Sequence, residues 1–473
     1  MMNSPAAAEF QGKRIAVIGL AATGLATARV LRDCGAIVTV YDGKAEEKLD
    51  AARVAEVQSM EGVRFEAGNN ESDWTATDLI VPSPGVPRYA PVLTGAVKRG
   101  IPVLGEIEVA YRLAQAPIMA ITGTNGKTTT TALVGAICRE AGLETWVAGN
   151  IAEDAGKRLP LIQAAIEAPA SGVIIAEISS FQLEWVERFR PKIAAWLNLA
   201  PDHMDRHRDM EEYGQAKTNI FRAQTRGDFA ILNADDESVM RFSEGVGRGR
   251  RLPFSLRIHP QAFIFNDGEY ILQWTDFGKP ELGAQVWLRN DEVPIPGQHN
   301  VANVMAALAM TTAFGIEALD AMKATLEFKG VAHRMELVGE VYGVQYINNS
   351  MCTNPAAVKA SAEASPKPLI AISGGFHKGG DLSGMAESLA RNAKRVILIG
   401  QATAELADVL KMQGFYNFEA ADSLPDAVHR AAKTAETGDT VMLIPGCASF
   451  DMFSGFEERG QVFRDAVREM TIA

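Results

Sequence analysis

Residues Gly123-Thr124-Asn125-Gly126-Lys127-Thr128-Thr129 stand between a short apolar run, Pro117 to Thr122, and an Ala/Leu/Val-rich stretch. Strand, glycine-rich turn and helix, in that order, make a phosphate-binding loop. The glycines let backbone N–H groups converge on phosphate oxygens, and the helix N-terminus adds partial positive charge. Lys127 would reach the terminal phosphates of a nucleotide, and Thr128 or Thr129 would hold Mg²⁺. The strict pattern requires Gly where Ile121 stands, so the generic motif does not match. An ordinary strand-to-helix turn capped by Thr is the alternative. The strand before and the helix after favour the nucleotide.

Glu177 closes an apolar strand in Ala176-Glu177-Ile178-Ser179-Ser180-Phe181-Gln182-Leu183. An acid at the carboxyl end of a strand beside a phosphate loop can reach Mg²⁺, a hard cation that takes oxygen ligands. Capping a helix is the other use of such an acid. Asp202-His203-Met204-Asp205-Arg206-His207 also leaves a strand. Its side chains suit zinc, but no Cys and no H-E-x-x-H accompany them, so His203 reads better as a second Mg²⁺ ligand. Asp205 and His207 read as solvated loop residues. Nearer the N-terminus, Gly19-Leu20-Ala21-Ala22-Thr23-Gly24 follows a strand, opens a helix, and has Asp42 at the end of the next strand. That resembles a dinucleotide fingerprint. Its middle glycine is Ala21, whose Cβ opposes close approach of the NAD pyrophosphate. Another nucleotide or a sugar nucleotide is expected there.

The elements that must carry these groups alternate between strand and helix, which predicts α/β layers with parallel sheets. Strands are expected at Arg14 to Ile18, Ile37 to Tyr41, Leu79 to Val81 and Ile101 to Leu104, with a helix from Thr23 to Cys34 and another from Glu106. Further strands are expected at Gly172 to Ala176 and Lys192 to Leu199, a helix from Met210, an antiparallel element within Phe229 to Asp291, and a helix from Asn300 to Phe314. The last part alternates again, with strands at Val344 to Ile347, Leu369 to Ser373, Val396 to Ile399 and Thr440 to Ile444. Boundaries near Gln115-Ala116-Pro117 and Lys329-Gly330 divide the chain into domains 1–115, 116–330 and 331–473.

A net charge of −12 argues against nucleic acid as the main partner. Cys34, Cys138, Cys352 and Cys447 are scattered without a C-x-x-C pair, as in a reducing compartment. Met1 to Phe10 lacks the layout of a secretory signal. Val301 to Phe314 is too short to span a bilayer and contains Asn303. A cytoplasmic chain without membrane insertion is expected.

Gly123 to Thr129, Glu177 to Glu184, Asp202-His203-Met204-Asp205 and Gln298-His299-Asn300-Val301-Ala302-Asn303 are spaced as in the Mur ligases, and the chain resembles that family over essentially its whole length. These are ATP-dependent amino-acid ligases of peptidoglycan precursor synthesis. Ser83-Pro84-Gly85-Val86 and Gly105-Glu106-Ile107-Glu108 resemble the branch of the family that adds D-glutamate. The resemblance implies three domains: an N-terminal Rossmann-like domain, a central P-loop ATPase with a mostly parallel sheet, and a C-terminal Rossmann-like domain that closes over the site. A monomer is expected.

By the same resemblance, Leu20, Ala21, Thr23 and Asn150 would meet UDP-N-acetylmuramoyl-L-alanine. Gly123, Thr124, Asn125, Gly126, Lys127, Thr128 and Thr129 would bind ATP, with Asn300 and Asn303 on the adenine side and Arg334 on the nucleotide. Thr128, Glu177, His203 and Lys217 would hold two Mg²⁺, Lys217 as a carbamate; without the family match Lys217 reads as a plain surface lysine. An ammonium beside Mg²⁺ is repelled, whereas a neutral amine that takes up CO₂ becomes an oxygen ligand. Thr353, Lys378, Ser449, Phe450 and Phe456 match glutamate-binding positions, although Lys378 alone reads as part of a flexible glycine turn. Asn349-Ser350-Met351 departs from the family's Asp-Ser-Lys, so the acid on the ATP ribose is an amide here and a cation is absent. The implied reaction passes through an acyl phosphate, which the incoming amine converts to an amide. Lys127, Arg334 and Mg²⁺ would spread the phosphoryl charge, with Lys127, Glu177, His203, Lys217 and Arg334 as the catalytic set. A non-catalytic nucleotide sensor on this scaffold has no need for all of these groups. An acceptor such as L-glutamate presents the same charges and stays open.

Overall fold

The computed structural model describes residues 5–68, 74–151, 158–204, 206–295, 297–366, 368–377, 379 and 381–472. The first sheet has four parallel strands in the order β3-β2-β1-β4: β1 Arg14–Ile18, β2 Ile37–Asp42, β3 Val63–Ala67 and β4 Leu79–Pro82. The strand expected at Ile101 to Leu104 is reduced to one bridge between Val103 and Ile80. Pro102 supplies no backbone donor, so the ladder cannot extend through it.

The second sheet has nine strands in the order β13-β12-β11-β10-β9-β8-β5-β7-β6. They are β5 Ile118–Thr122, β6 Thr145–Gly149, β7 Val173–Glu177, β8 Ile193–Trp196, β9 Phe229–Asn233, β10 Arg250–Ser255, β11 Ile264–Asn266, β12 Tyr270–Trp274 and β13 Ala284–Arg289. β5, β7 and β8 are buried along their whole length, as expected of apolar runs covered on both faces. The antiparallel element expected between Phe229 and Asp291 is confined to the end of that segment. β9, β10 and β11 pair in parallel; between β9 and β10 the helix Glu237–Ser243 carries the chain back across the sheet. The antiparallel pairs are β11–β12 and β12–β13, so β12 runs against its neighbours, after the chain reverses at Gly268 (φ +104°).

The third sheet has six strands in the order β14-β15-β19-β16-β17-β18: β14 Glu336–Val341, β15 Val344–Asn348, β16 Leu369–Gly374, β17 Ala393–Ile399, β18 Phe418–Ala420 and β19 Thr440–Gly446. β14 is antiparallel to β15, joined through Tyr342 and Gly343, both at positive φ, the geometry of a tight hairpin. Separate apolar clusters cover the two faces of this sheet.

The chain forms two compact units, Met1–Val293 with Val301–Glu327, and Pro294–Asn300 with Phe328–Ala473. The first unit contains two of the sheets over one continuous apolar core. The helix Glu106–Leu113 joins them. Glu108, fully buried, accepts the backbone N–H groups of Glu187, Arg188 and Phe189 at 2.8–3.0 Å and the Arg112 guanidinium at 2.7 Å. Glu106 accepts Ile162 N–H at 2.7 Å on Oε1, while its Oε2 has no partner among the described residues. The Gly-Glu-Ile-Glu motif is therefore a staple between layers.

Burial pushes the Glu106 carboxyl up to about 7, with the backbone N–H groups of Ile162 and Leu161 opposing the shift. A carboxyl with a higher pKa folded than unfolded stabilises the native state fully below its unfolded value. That contribution is lost as pH rises through about 7. Glu106→Gln should thus gain on the wild type between pH 5 and 8, by up to about 3 kcal/mol. In thermal melts the variant should be the more stable protein at pH 8. Parallel pH profiles would show an ionised Glu106.

Candidate active site

The phosphate loop leaves β5 and ends at Gly126, which precedes the helix Lys127–Glu140 in a left-handed conformation (φ +83°). A Cβ there would lie 2.2 Å from Asn303 Oδ1, so both backbone and packing require glycine. Asn303 thereby meets the loop where a nucleotide reader is expected. A residue not anticipated from the sequence, Asn198, fixes the loop. Its Oδ1 accepts Thr124 N–H at 3.0 Å and Asn125 N–H at 2.8 Å, and its Nδ2 donates to Asn125 O at 3.0 Å. The available signal was a polar residue closing the apolar run Lys192 to Leu199. Lys127 donates to Gly123 O and Thr124 O at 3.0 and 2.8 Å.

Behind the loop, Glu177 is 2% exposed at the end of β7. Its Oε2 accepts the Thr128 hydroxyl at 2.8 Å and its Oε1 accepts Asn150 Nδ2 at 3.1 Å. Lys217, on the helix Met210–Arg222, is 1% exposed, which excludes the surface-lysine alternative. Its Nζ donates to Gly123 O at 2.9 Å and Thr122 Oγ1 at 3.3 Å. Burial, then the Lys127 charge, hold its amine well below the ordinary lysine range. Thr128 and Glu177 form a hard oxygen pair of the kind Mg²⁺ takes. Among the described residues no group of three or more His, Cys, Asp or Glu forms a cage.

His203 adopts φ +57°, with its ring edge-on to Phe181 at 4.8 Å and to Tyr213 at 6.2 Å. Tyr213 also stacks under Lys217, 4.7 Å from Nζ. His207 is not solvated: it is 3% exposed, and its Nε2 lies 2.9 Å from Ser180 Oγ. Asp205 lies outside the described residues.

In the first sheet, Leu20, Ala21 and Thr23 lie where β1 passes into the helix Ala22–Asp33. Asp42 is spent on the loop itself, accepting Leu20 N–H at 2.8 Å and Lys44 N–H at 3.0 Å. Ser83 Oγ donates to Gly19 O at 3.1 Å, tying the Ser83–Val86 loop to the glycine loop.

In the second unit, Arg334 lies between His333 and Met335, both at positive φ, and its charge helps lower the His299 imidazole after burial. Asn300 is buried beside His299 in sequence. Asn349 accepts Met335 N–H at 3.2 Å and donates to Ser361 Oγ at 2.9 Å. Thr353, Ser449, Phe450 and Phe456 are in this unit, Ser449 buried and Phe450 66% exposed. Lys378 lies outside the described residues. Arg459, also unanticipated, is 1% exposed and donates to Ser350 Oγ, Ser350 O, Cys447 O and Ala448 O. It ties together the segments that lead to Thr353 and Ser449.

A braced phosphate loop backed by a buried carboxylate and amine places the first unit among nucleotide-using α/β proteins. Comparison with known proteins narrows the class. The MurD-like N-terminal domain of Mur ligases matches residues 13–105, the Mur ligase middle domain 121–311, and the Mur ligase glutamate ligase domain 333–447. The UDP-N-acetylmuramoylalanine--D-glutamate ligase of Pelotomaculum thermopropionicum is 40% identical over 97% of this chain and 98% of its own. That of Syntrophotalea carbinolica is 41% identical over 98% and 99%. Among solved structures, the UDP-N-acetylmuramate-alanine ligase MurC of Thermotoga maritima superposes with a TM-score of 0.58 at 18% identity, covering 97% of this chain and 99% of its own. MurF of Acinetobacter baumannii gives 0.59 at 16%, covering 90% and 91%. The chain belongs to the Mur ligase family and shares its three-domain α/β fold.

Asn198→Ala removes three bonds from the loop, at about 1 kcal/mol each. It should raise the KM for ATP at least about tenfold and leave UDP-substrate affinity, measured by calorimetry, near the wild-type value. Unchanged ATP kinetics would show that the loop holds its shape without the amide.

Proposed function

We propose that this ligase joins D-glutamate to the carboxylate of UDP-N-acetylmuramoyl-L-alanine with hydrolysis of ATP, a step of peptidoglycan precursor synthesis. The observation that carries the reading is the buried cluster of Thr128, Glu177, Asn150 and Lys217 against the phosphate loop. Its support is the full-length similarity to ligases with that name. Domain 1–115 would take the UDP substrate, 116–330 ATP and 331–473 the amino acid, in a cytoplasmic monomer.

Leu20, Ala21, Thr23 and Asn150 would contact the UDP substrate. Gly123 to Thr129, Asn300, Asn303, Arg334 and Asn349 would contact ATP. A substrate carboxylate oxygen attacks the γ-phosphorus and ADP leaves, giving an acyl phosphate. The glutamate amine then attacks the acyl carbon, phosphate departs, and the nitrogen loses its proton. Lys127 and Arg334 carry positive charge to the transferring group. Thr128, Glu177, His203 and Lys217 as a carbamate would hold two Mg²⁺, whose charge would offset that of the phosphates. Thr353, Lys378, Ser449, Phe450 and Phe456 would hold glutamate, whose two carboxylates need two anion sites.

The reaction is tested by measuring phosphate release and product with UDP-N-acetylmuramoyl-L-alanine and, separately, D-glutamate, L-glutamate, D-aspartate and meso-diaminopimelate. Turnover with D-glutamate is expected. Turnover only with another acceptor would move the specificity, and phosphate release indifferent to every amino acid would sink the ligase reading.

Carbamylation requires a neutral amine. Lys217 is buried, with no carboxylate within ion-pair distance among the described residues. Its nitrogen would add to the carbon of CO₂ and lose a proton. Lys217→Ala should be largely inactive, and acetate or formate in the buffer should restore part of the rate. A wild-type rate without rescue would make Lys217 purely structural.

A further inference from the structure

Arg206 follows His203 by a single turn of loop, with its N–H bonded to His203 O at 3.0 Å. Its side chain is 10% exposed and meets Glu184, 3% exposed, in a two-pronged pair: Nε to Oε1 at 3.2 Å and a terminal N–H to Oε2 at 2.7 Å. The same guanidinium donates to Val86 O at 2.9 Å and Gly85 O at 3.4 Å, in the loop after β4 of the first sheet. It also lies 4.8 Å from the centre of the Phe181 ring, which is itself edge-on to the His203 ring. Arg206 thus bonds the loop of the first sheet and the Phe181–Glu184 turn through its guanidinium, and the backbone of His203 through its own N–H.

A buried ion pair adds little net stability over apolar side chains of equal volume, because desolvation offsets the attraction. A guanidinium contributes direction instead, with donors fixed in one plane. The neighbouring contacts run along the same seam. Tyr89 donates to Glu212, which accepts Arg208 N–H at 2.8 Å, and the Arg208 guanidinium covers the Tyr89 ring at 4.3 Å. On the other side, Ser83 is bonded to Gly19 O. A continuous polar path therefore joins the Gly19 loop, through Ser83–Val86 and Arg206, to His203. The backbone of His203 is in the left-handed region, so its orientation depends on what holds the loop.

We propose that Arg206, braced by Glu184, is a positioning residue that couples occupancy of the UDP-substrate loops to the placement of His203. Binding at the first sheet would then favour the metal–nucleotide arrangement at the second, and the reverse by linkage. This rests on the functional reading above, which assigns the UDP substrate to the first loop and metal to His203.

The test is calorimetric titration of the full chain with UDP-N-acetylmuramoyl-L-alanine, without and with Mg²⁺ plus β,γ-methylene-ATP. In the wild type the Kd should tighten on the order of tenfold when both are present. Arg206→Lys and Glu184→Gln should still bind the UDP substrate, with the ratio falling towards one. Steady-state kinetics should show a raised KM for the UDP substrate and a lowered kcat, with the KM for D-glutamate unchanged. Melting temperatures near wild type for either variant separate this from loss of folding. A wild-type ratio of one, or a wild-type ratio retained in both variants, overturns the coupling alone. Absence of UDP-substrate binding to the wild type overturns the functional reading and the coupling with it.

Discussion

The side-chain amide of Asn198 fixes the shape of the phosphate loop, and the chemistry of the first unit depends on that shape. One planar group accepts two successive N–H groups and donates to a carbonyl of the same loop. The loop cannot collapse onto its own donors while these bonds hold. Asn198 reaches the loop because β8 pairs with β5 in the register that sets Trp196 beside Thr122. A slip of one residue would point it to the opposite face. That register is held by the burial of Ile118–Thr122 and Ile193–Trp196, so an apolar constraint determines where a polar group acts.

The alternation of strands and helices was legible in the sequence, and so were the loop residues Gly123 to Thr129. Their meaning is local: a strand, a turn and a helix within one stretch of chain. Asn198 was not legible, because its partners lie more than seventy residues away and nothing in its own neighbourhood requires an amide. The direction of β10 and β11 was missed for a related reason. Hydrophobic periodicity marks a strand but not its partner's direction, which the path of the connection decides. From polarity alone His207 reads as a solvated loop residue, and without the family match Lys217 reads as a surface lysine. Both are buried because particular partners, Ser180 for one and the carbonyl of Gly123 for the other, replace water.

The two glutamates of Gly105-Glu106-Ile107-Glu108 are engaged by the fold itself. Glu108 gathers three backbone donors and an arginine, and Glu106 caps the start of another helix. In the second unit, Asn349 has a similar local explanation. Its oxygen takes Met335 N–H and its nitrogen gives to Ser361 Oγ, whose own hydroxyl already donates to Ala357 O. A carboxylate has no proton to give in that second bond. The amide therefore suits its surroundings here, while Met351 has no such account in its contacts.

Backbone strain is concentrated where candidate site residues stand. The non-glycine residues with positive φ are His203, His333, Met335 and Tyr342 among those described. Tyr342 is explained by its hairpin. The other three bracket chemistry: His203 is a candidate metal ligand, and His333 and Met335 flank Arg334. Such conformations cost roughly 1–3 kcal/mol each and persist only where surrounding bonds impose them. Those bonds are present. His333 N–H donates to Glu336, its carbonyl accepts Met351 N–H, and Met335 N–H is held by Asn349. His203 O accepts from both Arg206 and His207. In each case a polar network outside the candidate reacting groups holds a candidate site residue where the backbone alone would not place it.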